Sequence, residues 1–127
     1  MSSGHEGLPR LAIAVLILEC ALEAARIADP YAGLPGAVSI AIHVALGSLW
    51  LFAAIAIARA ARSRRRAIRL GRLAWASLAL SGLVETLRGA PDGSAHLVAG
   101  MIVALAIESL AGTIDDRSER ALVTREG

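Results

Sequence analysis

The chain has 127 residues, of which 56% are hydrophobic and 3% aromatic, and its formal net charge is +2. This length suits one domain, and the apolar share exceeds the roughly 45–50% of soluble domains, so an aliphatic, membrane-embedded chain is expected and an ordinary soluble fold is not. Cys20 is the single cysteine, which excludes an internal disulfide and any multi-cysteine metal site.

Four apolar segments meet or approach the about 20 residues that a helix needs to cross the hydrocarbon core. Residues 8–28 form the first, interrupted by Glu19, Glu23 and Arg26. Its run LAIAVLIL has the character of a leader's apolar core, but one Arg makes a weak charged start and Glu19 before Cys20 suits no lipoprotein cleavage box. The segment is therefore read as a retained span. Residues 36–58 form the second span, free of formal charge. Residues 67–88 form the third, whose apolar part begins after Arg72. Residues 94–114 form the fourth, with Glu108 near its end. Tails 1–7 and 115–127 flank this single membrane domain.

The links ADPYAGLPG and GAPDGS carry the Pro, Gly and Asp of turns. The middle link is basic instead, with seven arginines from Arg59 to Arg72. No aromatic residues are interleaved to stack on bases, so nucleic acid is not the expected partner. Anionic lipid headgroups suit such a link in a general way. Arg10, the link arginines and Arg117, Arg120 and Arg125 fall on one side of the spans; Arg26 and Arg88 fall on the other. That asymmetry places both termini and the basic link in the cytoplasm of a bacterium, with the chain in its inner membrane. The loops near Tyr31 and Asp92 then face outward, Trp75 sits at the inner interface, and Trp50 packs within the bundle.

The first and third spans resemble each other. RLAIAVLILECALEAAR and RLAWASLALSGLVETLR align without a gap at Arg10/Arg72, Glu23/Glu85 and Arg26/Arg88. The second and fourth share His-x-x-x-Gly, as His43/Gly47 and His96/Gly100. The expected fold is thus an all-α integral membrane protein, an up-down bundle of four transmembrane helices built from two tandem-duplicated hairpins. Counting 1.5 Å per residue puts Glu23 and Glu85 roughly 20 Å above the inner boundary. The two histidines fall in the same outer half, and Glu19 lies one turn deeper than Glu23.

Ionisable groups within membrane helices usually face the bundle interior and mark a site. The bland account is that Glu23/Arg26 and Glu85/Arg88 are i, i+3 pairs that anchor helix ends. Three function classes follow. The leading expectation is a non-enzymatic accessory or assembly subunit, acting through helix packing with other membrane subunits or with copies of itself. It rests on the small size, the lack of a soluble domain, and the lack of a phosphate-binding loop, HExxH, CxxC or Ser-His-Asp order. The second class is a bis-histidine haem b protein: His43 and His96 as axial ligands on diagonal helices, with Gly47 and Gly100 leaving room for the porphyrin edge. The third is a carboxylate-dependent transporter of a cation, proton or small metabolite, centred on Glu19, Glu23 and Glu85. A metal held by His43, His96, Glu23 and Glu85 is a variant of this class. No catalytic residues are assigned.

Overall fold

The computed structural model describes the backbone over residues 3–28, 36–91 and 93–126, and side chains over 7–28, 36–91 and 93–112. Four helices account for nearly all of it: α1 Ser3–Ala28, α2 Gly36–Ala58, α3 Arg64–Leu87 and α4 Gly93–Glu126. Three of them, α2, α3 and the Gly93–Gly112 part of α4, are long and apolar enough to cross a membrane. α1 is not among these. Its apolar run is broken by Glu19, Glu23 and Arg26, and two of those three side chains are buried.

The boundaries depart from the sequence expectation at three places. α1 starts at Ser3, within the expected tail 1–7. α3 starts at Arg64, so the basic link shrinks to residues 59–63. Arginine is a good helix former, and nothing in RRRAIR interrupts a helix. α4 continues to Glu126, where a tail from residue 115 was expected. No Gly or Pro follows Gly112 until the last residue, so nothing in the sequence terminates the helix. At 34 residues α4 is about 51 Å long, well beyond a hydrocarbon core of about 30 Å. The loop around Tyr31, and Asp92, lie outside the described residues, as do the side chains of Arg117, Arg120 and Arg125.

The helices form a ring in which α1 and α3 each pack on α2 and α4, leaving α1/α3 and α2/α4 as diagonals. Each hairpin, α1–α2 and α3–α4, is joined more extensively within itself than to the other. The α3–α4 turn is fixed by backbone geometry. Gly89 takes a positive φ of 78°, the Gly89 N–H donates to the Thr86 carbonyl, and the Ala90 N–H donates to the Glu85 carbonyl at 2.8 Å. This double closure caps α3 with a left-handed glycine. It sets Glu85, in the last turn of α3, beside the first turn of α4.

Small residues let α3 and α4 approach. A Cβ on Gly82 would lie 2.8 Å from the Gly93 carbonyl oxygen and from the Leu97 nitrogen. Thr86 Oγ1 donates to the Gly82 carbonyl at 2.7 Å on the same stretch. Deeper, Ile107 lies against Gly71, and α3 backbone at Trp75 and Ala79 lies against Gly100. The core between the helices is aliphatic: Ala12, Leu16, Ala53, Leu78, Val103 and Ile107 surround a fully buried Trp50. Trp50 Nε1 donates to Ser77 Oγ at 2.9 Å, and Ser77 Oγ donates back to the Ala74 carbonyl at 2.8 Å. The buried indole N–H is therefore satisfied.

The outside of the bundle is apolar. Val38, Phe52, Leu80, Leu87, Met101 and Leu105 are each 60% or more exposed. Apolar exposure of that extent, all round the bundle, calls for an apolar surround.

The glycine packing yields a stability prediction. Gly82→Val should lower the thermal unfolding midpoint in detergent, with a loss of about 1–3 kcal/mol typical of overpacking. Gly7→Ala should be neutral, since nothing lies within 4 Å of a Cβ there. Equal midpoints for the two variants would contradict the α3–α4 contact.

Candidate functional site: a buried carboxylate–imidazole cluster

The sequence singles out Glu19, Glu23, Arg26, His43, Glu85 and His96, and the structure brings all six together at one end of the bundle. Their positions follow from helical register. Glu19 and Glu23 are one turn apart on α1, on the face that also carries buried Ala12 and Leu16. Glu85 is held at the end of α3 by the glycine-capped turn, and His96 follows three residues into α4.

Two contacts lie within hairpins. His43 Nδ1 shares a hydrogen bond with Glu23 Oε2, linking α2 to α1. His96 Nε2 stands 3.2 Å from Glu85 Oε2, linking α4 to α3. Two more join the hairpins. His96 Nδ1 stands 2.7 Å from Glu19 Oε2. Arg26 Nη1 donates to Glu85 Oε1 at 3.1 Å across the α1/α3 diagonal, with Glu23 Oε1 at 3.9 Å. His96 thus has a carboxylate at each ring nitrogen, and one guanidinium lies between two carboxylates.

The cluster is buried but not saturated. Glu19, Glu23 and His96 are each at most 4% exposed. The His96 contacts are close charge contacts without hydrogen-bond alignment. Glu19 Oε2, Glu85 Oε2 and His96 Nδ1 are buried with no hydrogen-bond partner. Distance and alignment disagree here; the distance carries the electrostatic argument, and the missing alignment means that hydrogen-bonding capacity remains unspent. The Trp50 ring lies 6.2 Å from the His96 ring, centroid to centroid, and tilted by 37°. It forms the floor of the cluster. Below Trp50 and Ser77 the core is Ala12, Ala53, Ala74, Leu78, Val103 and Ile107, so buried polar groups stop about halfway down the bundle.

Other expected site residues take different places. Arg88 caps α3 and is exposed. No ion pair joins it to Glu85, which faces Arg26 instead. The i, i+3 pair foreseen in the second hairpin is therefore replaced by a pair across the bundle. His96, placed in the outer half by residue counting, is buried there because the cap folds α4 directly back over Glu85. Gly47 and Gly100 line no open slot. A Cβ on Gly47 would touch Glu23 Cβ at 3.5 Å, and one on Gly100 would meet α3 backbone at 3.3 Å. Neighbouring helices occupy the space assigned to a porphyrin edge, so both glycines are close-packing positions. Glu108 is paired outside the cluster, accepting from Arg72 Nε at 3.0 Å and Arg72 Nη2 at 3.1 Å. Among the described residues, no group of three or more His, Cys, Asp or Glu is arranged to hold a metal ion.

Sequence reasoning missed the Glu19–His96 contact, since the two residues lie on helices that are first and last in the chain. The signal for it is Glu19 itself, an acid deep in an apolar span with no basic residue one turn away. The Trp50–Ser77 bond was also missed, since its partners lie on different helices. Comparison with known families, with characterised proteins and with solved structures finds no match to this chain.

The diagonal ion pair can be tested by a double-mutant cycle. Arg26→Leu leaves two carboxylates without their cation and should cost about 1–3 kcal/mol of stability, less than a wholly buried pair because Arg26 and Glu85 keep some exposure. Adding Glu85→Leu should recover part of that loss. Strictly additive effects in thermal unfolding would mean that the two side chains do not interact.

Proposed function

We propose that this chain is a small integral membrane protein whose buried cluster exchanges protons against a small cation, making it a carboxylate-dependent transporter. The observation that carries the reading is His96, buried between Glu19 and Glu85 with hydrogen-bonding capacity unspent on all three residues. Three carboxylates, Glu19, Glu23 and Glu85, face one permanent cation, Arg26. Two negative charges are left over. In an apolar interior that imbalance is too costly to stand. Two protons taken up by the cluster restore neutrality, and His43 and His96 are positioned to hold them beside the carboxylates. A cation that enters must displace protons to keep the balance. Such coupling makes a buried acid useful in a transporter.

The membrane reading extends to α1. Glu19, Glu23 and Arg26 join the cluster, while Leu11, Ile17, Leu18 and Leu22 are exposed on its outside. At 26 residues it is about 39 Å long, enough to span alongside the other three. The arginine asymmetry then puts both termini on the cytoplasmic side of a bacterial inner membrane, with the cluster toward the outer face. Burial also supports the duplicated hairpin. Ala12/Ala74, Leu16/Leu78, Gly47/Gly100, Trp50/Val103 and Ala53/Ala106 are buried in both copies, and each hairpin holds its own Glu–His contact.

Packing as a subunit of a larger complex accounts for the apolar exterior, but helix packing alone does not call for three buried carboxylates. The haem reading has α2 and α4 on a diagonal as it requires. However, both nitrogens of His96 face carboxylates, and both glycines are filled.

The test is proton movement in proteoliposomes carrying a pH-sensitive dye inside, challenged with Na⁺, K⁺, Mg²⁺ and tetramethylammonium in turn. At least one cation should drive a change in internal pH above that of empty liposomes, and Glu19→Gln should abolish it. Glu108→Gln, outside the cluster, should leave it intact. Silence with every cation, or a response that survives Glu19→Gln, would falsify the transporter reading.

A further inference from the structure

The opposite end of the bundle carries a second arrangement that the cluster does not use. The α2–α3 turn and the start of α3 hold seven arginines from Arg59 to Arg72. Arg72 is engaged by both oxygens of Glu108. Arg59, Arg62, Arg65, Arg66 and Arg69 are exposed, and no ion pair involves them among the described residues. Arg64 is half-buried, and its Nη1 is buried without a hydrogen-bond partner.

The start of α3 is electrostatically inverted. The N-terminus of a helix bears partial positive charge and unpaired N–H groups, and it favours acids. Here Arg64, Arg65 and Arg66 make up the first turn, which contains no acidic residue, and the side chain of the N-cap Ser63 makes no capping hydrogen bond. Like charge has been gathered where the backbone itself is positive. Such a start favours an anion with several acceptor oxygens.

The face below these arginines indicates which anion. Arg66 and Arg69 are spaced for one exposed side of α3, and exposed Arg62 lies in the turn that leads into it. The same stripe continues through exposed Leu73 and Leu80. It is therefore cationic for its first two turns and apolar below. Arg64 to Arg72 covers about 12 Å of helix. That is enough to cross the headgroup layer, which occupies roughly 5–7 Å on each side of the hydrocarbon. A free phosphate would use only the upper half of this stripe. A nucleic acid would find no use for the leucines. A molecule with a phosphate at one end and an acyl chain at the other matches both halves.

We propose that Arg62, Arg66 and Arg69, with Leu73 and Leu80 beneath them, form a binding site for an anionic phospholipid, its phosphodiester against the start of α3 and an acyl chain along the leucines. The site rests on the reading that the chain resides in a bilayer, and is independent of what the polar cluster does.

The experiment is native mass spectrometry of the full chain extracted from nanodiscs made of equal parts phosphatidylglycerol and phosphatidylcholine. Phosphatidylglycerol should be retained preferentially. Arg66→Gln and Arg69→Gln should each weaken its retention about fivefold, the equivalent of about 1 kcal/mol per arginine. Leu73→Ser should weaken retention of both lipids without changing the preference between them. Arg88→Gln, at the other end of the bundle, should change nothing. Should a substituted arginine variant fail to fold, titration of the unsubstituted protein with inorganic phosphate decides the matter, because a lipid site holds its phosphatidylglycerol while a free-anion site releases it. Equal retention of the two lipids, or a preference untouched by the arginine substitutions, overturns the site alone. A chain that does not enter nanodiscs at all overturns the membrane reading and the site with it.

Discussion

The balance of charge inside an apolar bundle is the constraint on which the rest of the structure depends. Between its ends the outside of the bundle is largely hydrophobic, so ionisable groups within that stretch are stable only where they face one another. Glu19, Glu23 and Glu85 are stable inside the bundle because His43, His96 and Arg26 come to them from the other helices. Every helix contributes at least one member. Removing any one helix would leave a charge in a low-dielectric interior without its partner, which is far more costly than losing a surface ion pair. The polar cluster therefore specifies the arrangement of the bundle even where the aliphatic core, made of interchangeable Ala, Leu and Val, would tolerate several.

That arrangement needs close approach, and the small residues provide it. Gly47 packs against the Glu23 side chain at ordinary contact distance, beside the Glu23–His43 contact. Gly82 and Gly93 bring the ends of α3 and α4 together just where Glu85 must reach His96. Glycine packing and the polar contacts belong to one design: the first sets the interhelical distance that the second requires. The same logic explains Trp50. With the small residues drawing the hairpins together around the rim, the centre needs one large side chain, and the indole fills it while its N–H finds Ser77.

Much of this was legible in the sequence, and what was not has a physical cause. The four helices, the Glu–His convergence at one end, and the interior place of Trp50 follow from apolar runs and from counting residues along helices of known rise. Registers between helices do not follow from counting. Arg26 and Arg88 look equivalent in the sequence, yet only Arg26 enters the cluster, because the cap at Gly89 turns the chain immediately after Arg88 and leaves its side chain outside. Gly82 and Gly93 carry the closest backbone approach, and no local pattern distinguishes them from other glycines in an Ala- and Leu-rich chain. The extension of α4 to Glu126 was misjudged for another reason: a polar stretch after an apolar one reads as a tail, although nothing in it stops a helix.

The distribution of contacts also says where the bundle can change. Between α3 and α4, Gly82, Gly93 and Gly100 meet the backbone of the facing helix. Among the described residues, the polar contacts between hairpins include His96 with Glu19, Arg26 with Glu85, and Trp50 with Ser77. The first two belong to the cluster, which also holds one Glu–His contact within each hairpin. A change in the cluster's charge would therefore act on the interface between hairpins as well as on each hairpin. Below the cluster, the core is closed by Leu16, Leu78 and Val103, all fully buried, so the polar groups have no continuation toward the other end while the hairpins stay as they are. On the transporter reading proposed above, coupling requires no additional device: the groups that would bind the proton are among those that fasten the hairpins, and an ion that changed one would change the other.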